Sequence, residues 1–452
     1  MDQQTLFELP PGDGPRREPT GAGKPRLRRA ERQQVVMRLL ALDQMLPSDD
    51  DARTVWDFVC QCDLTPLLDR IRAVEGHAGH PPADPHILMS LWLFATIKGV
   101  GSARELERLC EKHLCYQWIC GDVSMNYHTL ADFRVQHAKV LDQLLTQQVA
   151  ALMHTGAVTL ELVAQDGMRV RANAGKASFR RGATLEECLT EAKQRVEQLQ
   201  QEVQDDPGAA SRREVAARQR AARERVEKVA AAMEACAEVQ AAKEKRGGDS
   251  LKNPARASTT DPEARTMKMA NGGYNPAYNV QFSTDTATQV IVGVDVTNQG
   301  TDAGQMAPMI KQIVDRTHVR PPGVLGDGGF ATKEDIQQLN VPEQGYQVYA
   351  PVKEEEKQRQ KGQDPFAARP GESPELTEWR TRMGTDEAKA IYKERASTAE
   401  CVNALARQRG LQQFPVRGLE KVRAIAILFV LAHNVCRWGT LRAEGTIKVN
   451  GK

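Results

Sequence analysis

Nothing in this sequence offers to hold it in a membrane or to send it across one. No 18-residue apolar run is present, and the N-terminus lacks the charged-then-apolar order of a signal peptide. The chain is therefore expected to be soluble, without a membrane partner, and to stay in the cytoplasm where it is made. Cysteine supplies no framework: the nine thiols are odd in number and scattered, which points to reduced thiols in a reducing compartment. Cys60-x-Cys62 followed by His77-x-x-His80 is too tightly spaced for the usual zinc pattern. Neither sign of charge dominates, since the formal net charge is +2, so charge informs about partners only when read locally. Aromatics are few, at 5%, while glycine and proline are near average usage, as in a globular chain with flexible parts. Its 452 residues suffice for two or three domains with a substantial core.

What is present begins with a basic arm. Residues 1–34 are rich in Pro, Gly and Arg and are expected to be disordered. Eight basic residues between Arg16 and Arg38 face only Glu18 and Glu31, a balance able to neutralise phosphates without sequence choice. Gln3-Gln4-Thr5-Leu6-Phe7 resembles the short Gln-x-x-Leu-Phe peptides that dock on the bacterial sliding clamp, so a clamp contact through Gln3, Leu6 and Phe7 is expected. Residues 35–157 then carry helical periodicity throughout and predict an all-α, DNA-binding domain. Within it Thr129 is a candidate N-cap with Asp132 three residues on. Arg134, His137 and Lys139 share one segment expected to be exposed, which makes Arg134 a candidate for recognising DNA ends.

The period changes to two at Leu160–Arg171, a strand with Asp166 among apolar neighbours. A carboxylate there costs desolvation unless a cation or hydrogen-bond donor meets it. Residues 183–246 form a separate unit. Leu185, Leu189, Ala192, Val196, Leu199 and Val203 step by four and three, and Ala222, Val226, Val229, Met233 and Cys236 repeat the stepping after a break at Asp205–Gly208. This predicts an inserted antiparallel coiled-coil hairpin with arginines on its outer face. Strands are expected again at 278–282 and 289–296, then a helix at 302–317. A short buried strand ends in Gly326-Asp327-Gly328-Gly329, and a helix at 333–339 and a strand at 346–352 follow. Residues 354–378 read as a charged, Pro-punctuated loop. A helix carries Tyr392, Arg395 and Glu400, with Arg407 two turns further on, and residues 424–438 are a strongly apolar helix.

That order is an α+β (α/β) arrangement: an N-terminal all-α domain, then a ribonuclease-H-like mixed sheet over 158–440 interrupted by the hairpin, with a tail at 441–452. Such a sheet can bring Asp166 and Asp327 to neighbouring strand ends while a helix delivers Glu400. Three converging carboxylates repel one another unless divalent metal is bound, and hard oxygen donors suit Mg²⁺ or Mn²⁺. Two such ions activate a water or a 3′-hydroxyl and stabilise the leaving oxygen in phosphodiester chemistry.

Several segments resemble the DDE transposases of bacterial insertion sequences, in the branch with a Tyr-Arg-Glu-Lys signature and an N-terminal helical domain. They are Val163–Asn173, Asp261–Arg265 with Gly273–Gln281, and Gly326–Phe330. To these add Tyr392-x-x-Arg395-x4-Glu400-x6-Arg407 and Arg417–Arg423 with Ala432-His433-Asn434. The resemblance implies that Asp166, Asp327 and Glu400 are catalytic and bind two metal ions, and that Tyr392, Arg395 and Arg407 contact transposon-end DNA. Arg169 and Arg171, beside the first acid, join Arg134 as further DNA-binding candidates. It also implies binding to terminal inverted repeats, cleavage of the ends, joining of the 3′-OH to target DNA, and a homodimer, because two ends must be paired. Three departures stand out. Arg407 occupies a position where Lys is usual. The gap from Arg395 to Glu400 is one residue longer than in the usual signature, which rotates the acid on a regular helix and makes Glu394 the fallback. Cys401-Val402-Asn403-Ala404 replaces a usual Pro-x-x-Gly. Two other readings are a simple metal-dependent nuclease of the same fold and a catalytically silent DNA-binding protein.

Overall fold

The first helices are set by their caps. In the computed structural model, which describes residues 41–74, 76–77, 79–205, 211–248 and 253–447, helix α1 (Asp51–Cys60) starts where the Asp50 carboxylate accepts the Ala52 N–H. A short α2 (Thr65–Leu68) leads to α3 (Pro85–Ile97), which has Pro at its first position and Asp84 as its cap. Its stretch Leu88–Ala95 is wholly buried, so α3 is a core helix. Helices α4 (Ala103–Lys112), α5 (Leu114–Cys120), α6 (Tyr127–Gln136) and α7 (Ala138–His154) complete the helical part. The cap of α6 is Asn126, whose side chain accepts the N–H of Thr129, and not Thr129 itself. The arm at 1–34, with its clamp peptide, and the end of the tail lie outside the described residues.

Strand β1 (Leu162–Arg171) is the centre of a mixed sheet. Two-residue strands β2 (Phe179–Arg180) and β3 (Ala257–Ser258) pair with each other, β4 (Arg265–Lys268) is an edge, and β5 (Tyr274–Asp285) and β6 (Ile291–Thr297) form the hairpin. Strands β7 (Gly323–Leu325) and β8 (Gln347–Tyr349) complete the set. β1 pairs antiparallel with β5, with Asp166 opposite Phe282, and parallel with β7, with Ala164 opposite Leu325; β7 pairs parallel with β8. The far edge of β5 holds β4 along its first residues and β6 along the rest. This is a mixed α+β architecture with a helical N-terminal region, consistent with a ribonuclease-H-like DDE domain. β5 is longer than its sequence pattern, because Ser283–Asp285 stay in the ladder and the Asp285 carboxylate caps the turn by accepting from Thr288.

The hairpin is inserted between β2 and β3. Helix α8 (Gly182–Asp205) buries Leu185, Ala192 and Leu199, and α9 (Arg212–Arg246) buries Val229, Ala232, Ala235 and Cys236, which are the seam positions or their neighbours. A capping box of Ser211 and Glu214 starts α9. Beyond β6 come α10 (Met306–Thr317) and α11 (Lys333–Leu339). The segment 354–378 is not a plain loop: it holds α12 (Glu355–Gln360) and the start of α13 (Pro374–Met383), whose Arg380 forms a buried pair with Glu372. The last three helices are α14 (Asp386–Arg395), α15 (Cys401–Gln408) and α16 (Leu419–Ala443).

By length and composition α16 is apolar enough to cross a membrane, which corrects the expectation of no such run. It is instead the core helix, with 72% of its apolar stretch buried. Asn434 pins it to the sheet by accepting the Ile291 N–H at 2.9 Å and donating to the Ile291 carbonyl at 2.8 Å. Residues 42 onward form one compact unit; its main apolar core runs from Leu46 through the helices and the sheet to Ile447, and a second, small cluster of Leu185, Ala232, Ala235, Cys236, Ala255 and Ala257 lies at the root of the hairpin.

Candidate active site

The site is built at the C-terminal ends of the parallel strands. Asp166 lies within β1, and Asp327 follows β7 by two residues, in a turn where its Oδ1 accepts the N–H of Gly329 at 2.7 Å and of Phe330 at 3.3 Å. The two acids are neighbours because β1 and β7 pair in parallel register.

Glu400 arrives by a different device. Between α14 and α15 the helix continues without a break through one π turn, Ala396–Glu400. On a regular helix five residues turn the chain roughly 500°, leaving Glu400 about 140° away from Arg395. A π turn absorbs one extra residue and returns the acid to the same face. The hydroxyls of Ser397 and Thr398 stabilise this widened turn, both donating to the Glu394 carbonyl at 2.9 Å.

Arg395 joins the three acids. Its Nη2 is 3.4 Å from Asp166 Oδ1 and 3.9 Å from Asp327 Oδ2, and its Nη1 donates to Glu400 Oε1 at 3.4 Å. The guanidinium side chain is 11% exposed, whereas Glu400 is 63% exposed. Glu394 is exposed and is not among the carboxylates bonded to Arg395. Tyr392, one turn earlier, is half-buried beside the cluster. Burial pushes its phenol above the ordinary value, the charges of Asp327, Asp166 and Glu400 add to the rise, and Arg395 opposes it.

Asp166 is the most enclosed of the three. Burial pushes its carboxyl up, and Asp327 and Asp302 add to the rise, while Arg395 and the Gly167 N–H hold it down. Its Oδ2 accepts from Asn403 Nδ2 at 2.8 Å. Asn403 is buried, three residues after Glu400 on the same continuous helix, and its own Oδ1 has no partner among the described residues. The sequence reading missed this residue. Its signal was an amide between Val402 and Ala406 on the buried face of an otherwise amphipathic helix.

A second polar group lies behind β1. Asp302 Oδ1 accepts from Asn279 at 2.8 Å and Gln281 at 2.7 Å, and its Oδ2 pairs with Arg169 at 2.8 Å. Gly167 faces this carboxylate so closely that a Cβ would collide with Asp302 Oδ1 and come to 2.6 Å from Gln281 Nε2. Asn279 and Gln281 alternate on one face of an apolar strand, a period-two signal that was legible but not used.

Beside Gly167 opens a groove of about 730 Å³ with Arg169, Arg171, Lys268 and Arg407 in its walls. It brings three of the sequence-predicted basic residues together one residue from Asp166. Arg169 is committed to Asp302, Arg171 donates to Gln413 Oε1 at 2.9 Å, and Arg407 is exposed. Arg134 is elsewhere. It is buried, stacked 4.5 Å over Trp92 and bonded to the Gly101 carbonyl, and burial pulls its guanidinium down to about 10. The segment with Arg134, His137 and Lys139 is thus not uniformly exposed, because Arg134 fills the helical core.

The donor set fits a hard divalent cation: three carboxylates converge on one centre of positive charge, here a guanidinium. Among the described residues no three His, Cys, Asp or Glu side chains gather tightly enough to hold a metal as they stand, because the acids meet Arg395 and not one another.

Residues 249–435 match the family model of the Transposase DDE domain, and residues 40–136 match that of a Transposase domain (DUF772). The first match covers Asp327 and Glu400 and begins after Asp166 and the hairpin. No curated protein and no solved structure matches the chain. Proteins with a DDE domain typically use a divalent metal. The two matches imply an enzyme of DNA transposition with DNA as its partner, and they support a DDE-type transposase.

Proposed function

We propose that the chain binds the terminal inverted repeats of its own element, hydrolyses the phosphodiester at each 3′ end and joins that 3′-OH to target DNA. The observation that carries this reading is the meeting of Asp166, Asp327 and Glu400 on Arg395, one residue along β1 from a groove walled by Arg169, Arg171, Lys268 and Arg407. Carboxylates alone bind no phosphate, and a basic groove alone cuts none; side by side they hold a backbone against a hydrolytic centre.

Asp166, Asp327 and Glu400 would hold Mg²⁺ or Mn²⁺, in two-ion fashion, and the ions when bound supply activation of a hydroxyl and charge for the leaving oxygen. The rest is the work of the chain. Asn403 holds one oxygen of Asp166 and so fixes the carboxylate's rotation. The Gly329 and Phe330 amides do the same for Asp327. Arg395 neutralises the three acids beside half-buried Tyr392, and exposed Arg407 offers donors to phosphates entering the groove. Two ends must be paired, so the active form is a homodimer.

The test is metal-dependent nicking and joining of a labelled duplex carrying the element's end. Wild type should nick and join, and Asp166→Ala, Asp327→Ala and Glu400→Ala should each abolish both. Nicking without joining would leave a simple nuclease, and tight end binding without nicking would leave a silent DNA-binding protein.

A further inference from the structure

The distal half of the inserted hairpin is built for a second task. From Ser211 to Glu227 the only half-buried residues of α9 are Val215, Gln219, Ala222 and Val226, the seam against α8; every other side chain is exposed. This half packs on its partner helix and leaves its outer surface open. It carries Arg212, Arg213, Arg218, Arg220, Arg223 and Arg225, against Glu214, Glu224 and Glu227. None of the six arginines takes part in an ion pair among the described residues, although the facing half of α8 carries Glu191 and Glu197.

The placement is not uniform around the helix. At about 100° per residue, Arg212, Arg213, Arg220 and Arg223 fall within one arc roughly 100° wide; Glu227, at the end of the face nearer the root, is the one acid of the stretch within it, and Glu214 and Glu224 fall outside it. Like charges three or seven residues apart on one face repel and cost helix stability. A capping box and a continuous seam carry that cost. Arginine forks suit phosphate oxygens, which they bind in bidentate fashion.

The arm is also fixed at its root. Glu238 of α9 pairs with Arg265 at 3.3 Å, Gln240 accepts the Ala255 N–H, and the β2–β3 ribbon closes the insertion. From Glu238 the four-arginine face lies about 22 to 39 Å along the helix, at about 1.5 Å per residue. That distance corresponds to roughly 6 to 11 base pairs of duplex.

We propose that this face of α9 is a phosphate-binding arm that grips the backbone of duplex DNA away from the cleaved bond, without reading sequence. The inference rests on the reading of the chain as a DNA-processing enzyme and adds a contact to it. The test uses the full chain and a duplex of unrelated sequence, with affinity measured between 50 and 200 mM salt.

Replacing Arg212, Arg213, Arg220 and Arg223 by Gln should reduce the slope of log K against log salt by about 3 to 4, since each phosphate contact contributes about 0.9. The matching fourfold Arg→Lys variant should keep the slope. These residues are exposed and off the seam, so helix content by circular dichroism should not change in either variant. A wild type that binds DNA and a Gln variant with the same slope would overturn the arm, and so would a Gln variant that changes only the oligomeric state, which would assign the face to a second copy. A wild type that binds no DNA at all would overturn the underlying reading instead.

Discussion

Arg395 and Glu400 stand five residues apart and meet at 3.4 Å because the helix between them takes one π turn. That turn absorbs one extra residue and keeps the acid on the face of Arg395. Deleting Ser397 should leave a regular helix with Arg395 and Glu400 four apart, still on one face, and nicking should survive. Inserting an Ala after Ser397 should rotate Glu400 by roughly 100° and abolish it. Equal loss in both variants would show that the π geometry itself, and not the face, is what the acid needs.

Asn403 leaves Asp166 with one oxygen fixed and the other beside Arg395. Removing a side chain that orients a metal ligand typically costs about 10- to 100-fold in metal affinity or activity. Asn403→Ala should weaken Mn²⁺ binding in that range, measured by calorimetric titration of the protein without DNA. An unchanged affinity would reduce Asn403 to a packing role.

Gly167 sits against Asp302 with no room for a side chain. Gly167→Ala should push on the Asp302–Gln281 pair and cost about 1–3 kcal/mol, the range for overpacking a filled site. The urea midpoint reads the effect. A variant as stable as wild type would mean that Asp302 moves freely.

His433 is buried in α16, with Nε2 donating to the Gln289 carbonyl at 2.8 Å, and burial pulls its pKa down to about 4. The folded pKa is below the unfolded value of about 6.5, so the fold favours the neutral ring. The resulting stability is fully present above pH 6.5 and is lost as pH falls from there to about 4. The loss is about 3 kcal/mol for a shift of this size. Unfolding midpoints of wild type and His433→Gln should converge across that window, and parallel curves would contradict the assignment.

The parts legible in the sequence were those written as periodicity or as ordered motifs. The seam of Leu185, Ala192 and Leu199 predicted the hairpin because buried stripes repeat at four and three. Asp166 and Asp327 stood out because acids are costly in buried strands. The rest depends on contacts remote in sequence. Arg134 looked like a surface cation because a helix segment of mixed polarity does not reveal that Trp92, some forty residues earlier, offers it a ring. The π turn was illegible because propensity favours the α form throughout Asp386–Gln408. The widened turn draws its advantage from the Ser397 and Thr398 hydroxyls and from the remote contacts of Arg395 with Asp166 and Asp327. Helices α12 and α13 were hidden under prolines and charge, and the buried Arg380–Glu372 pair that settles α13 joins residues eight apart in a stretch with no apolar period.

The claim that Asp166, Asp327 and Glu400 form one hydrolytic centre is tested most directly by Mn²⁺-dependent nicking of an end-bearing duplex, with Glu400→Gln set beside Glu394→Gln. Of these two glutamates Glu400 is the one that bonds to Arg395 among the described residues, so Glu400→Gln should fall to the level without metal while Glu394→Gln should nick as wild type does. Loss in Glu394→Gln with activity kept in Glu400→Gln would contradict the account.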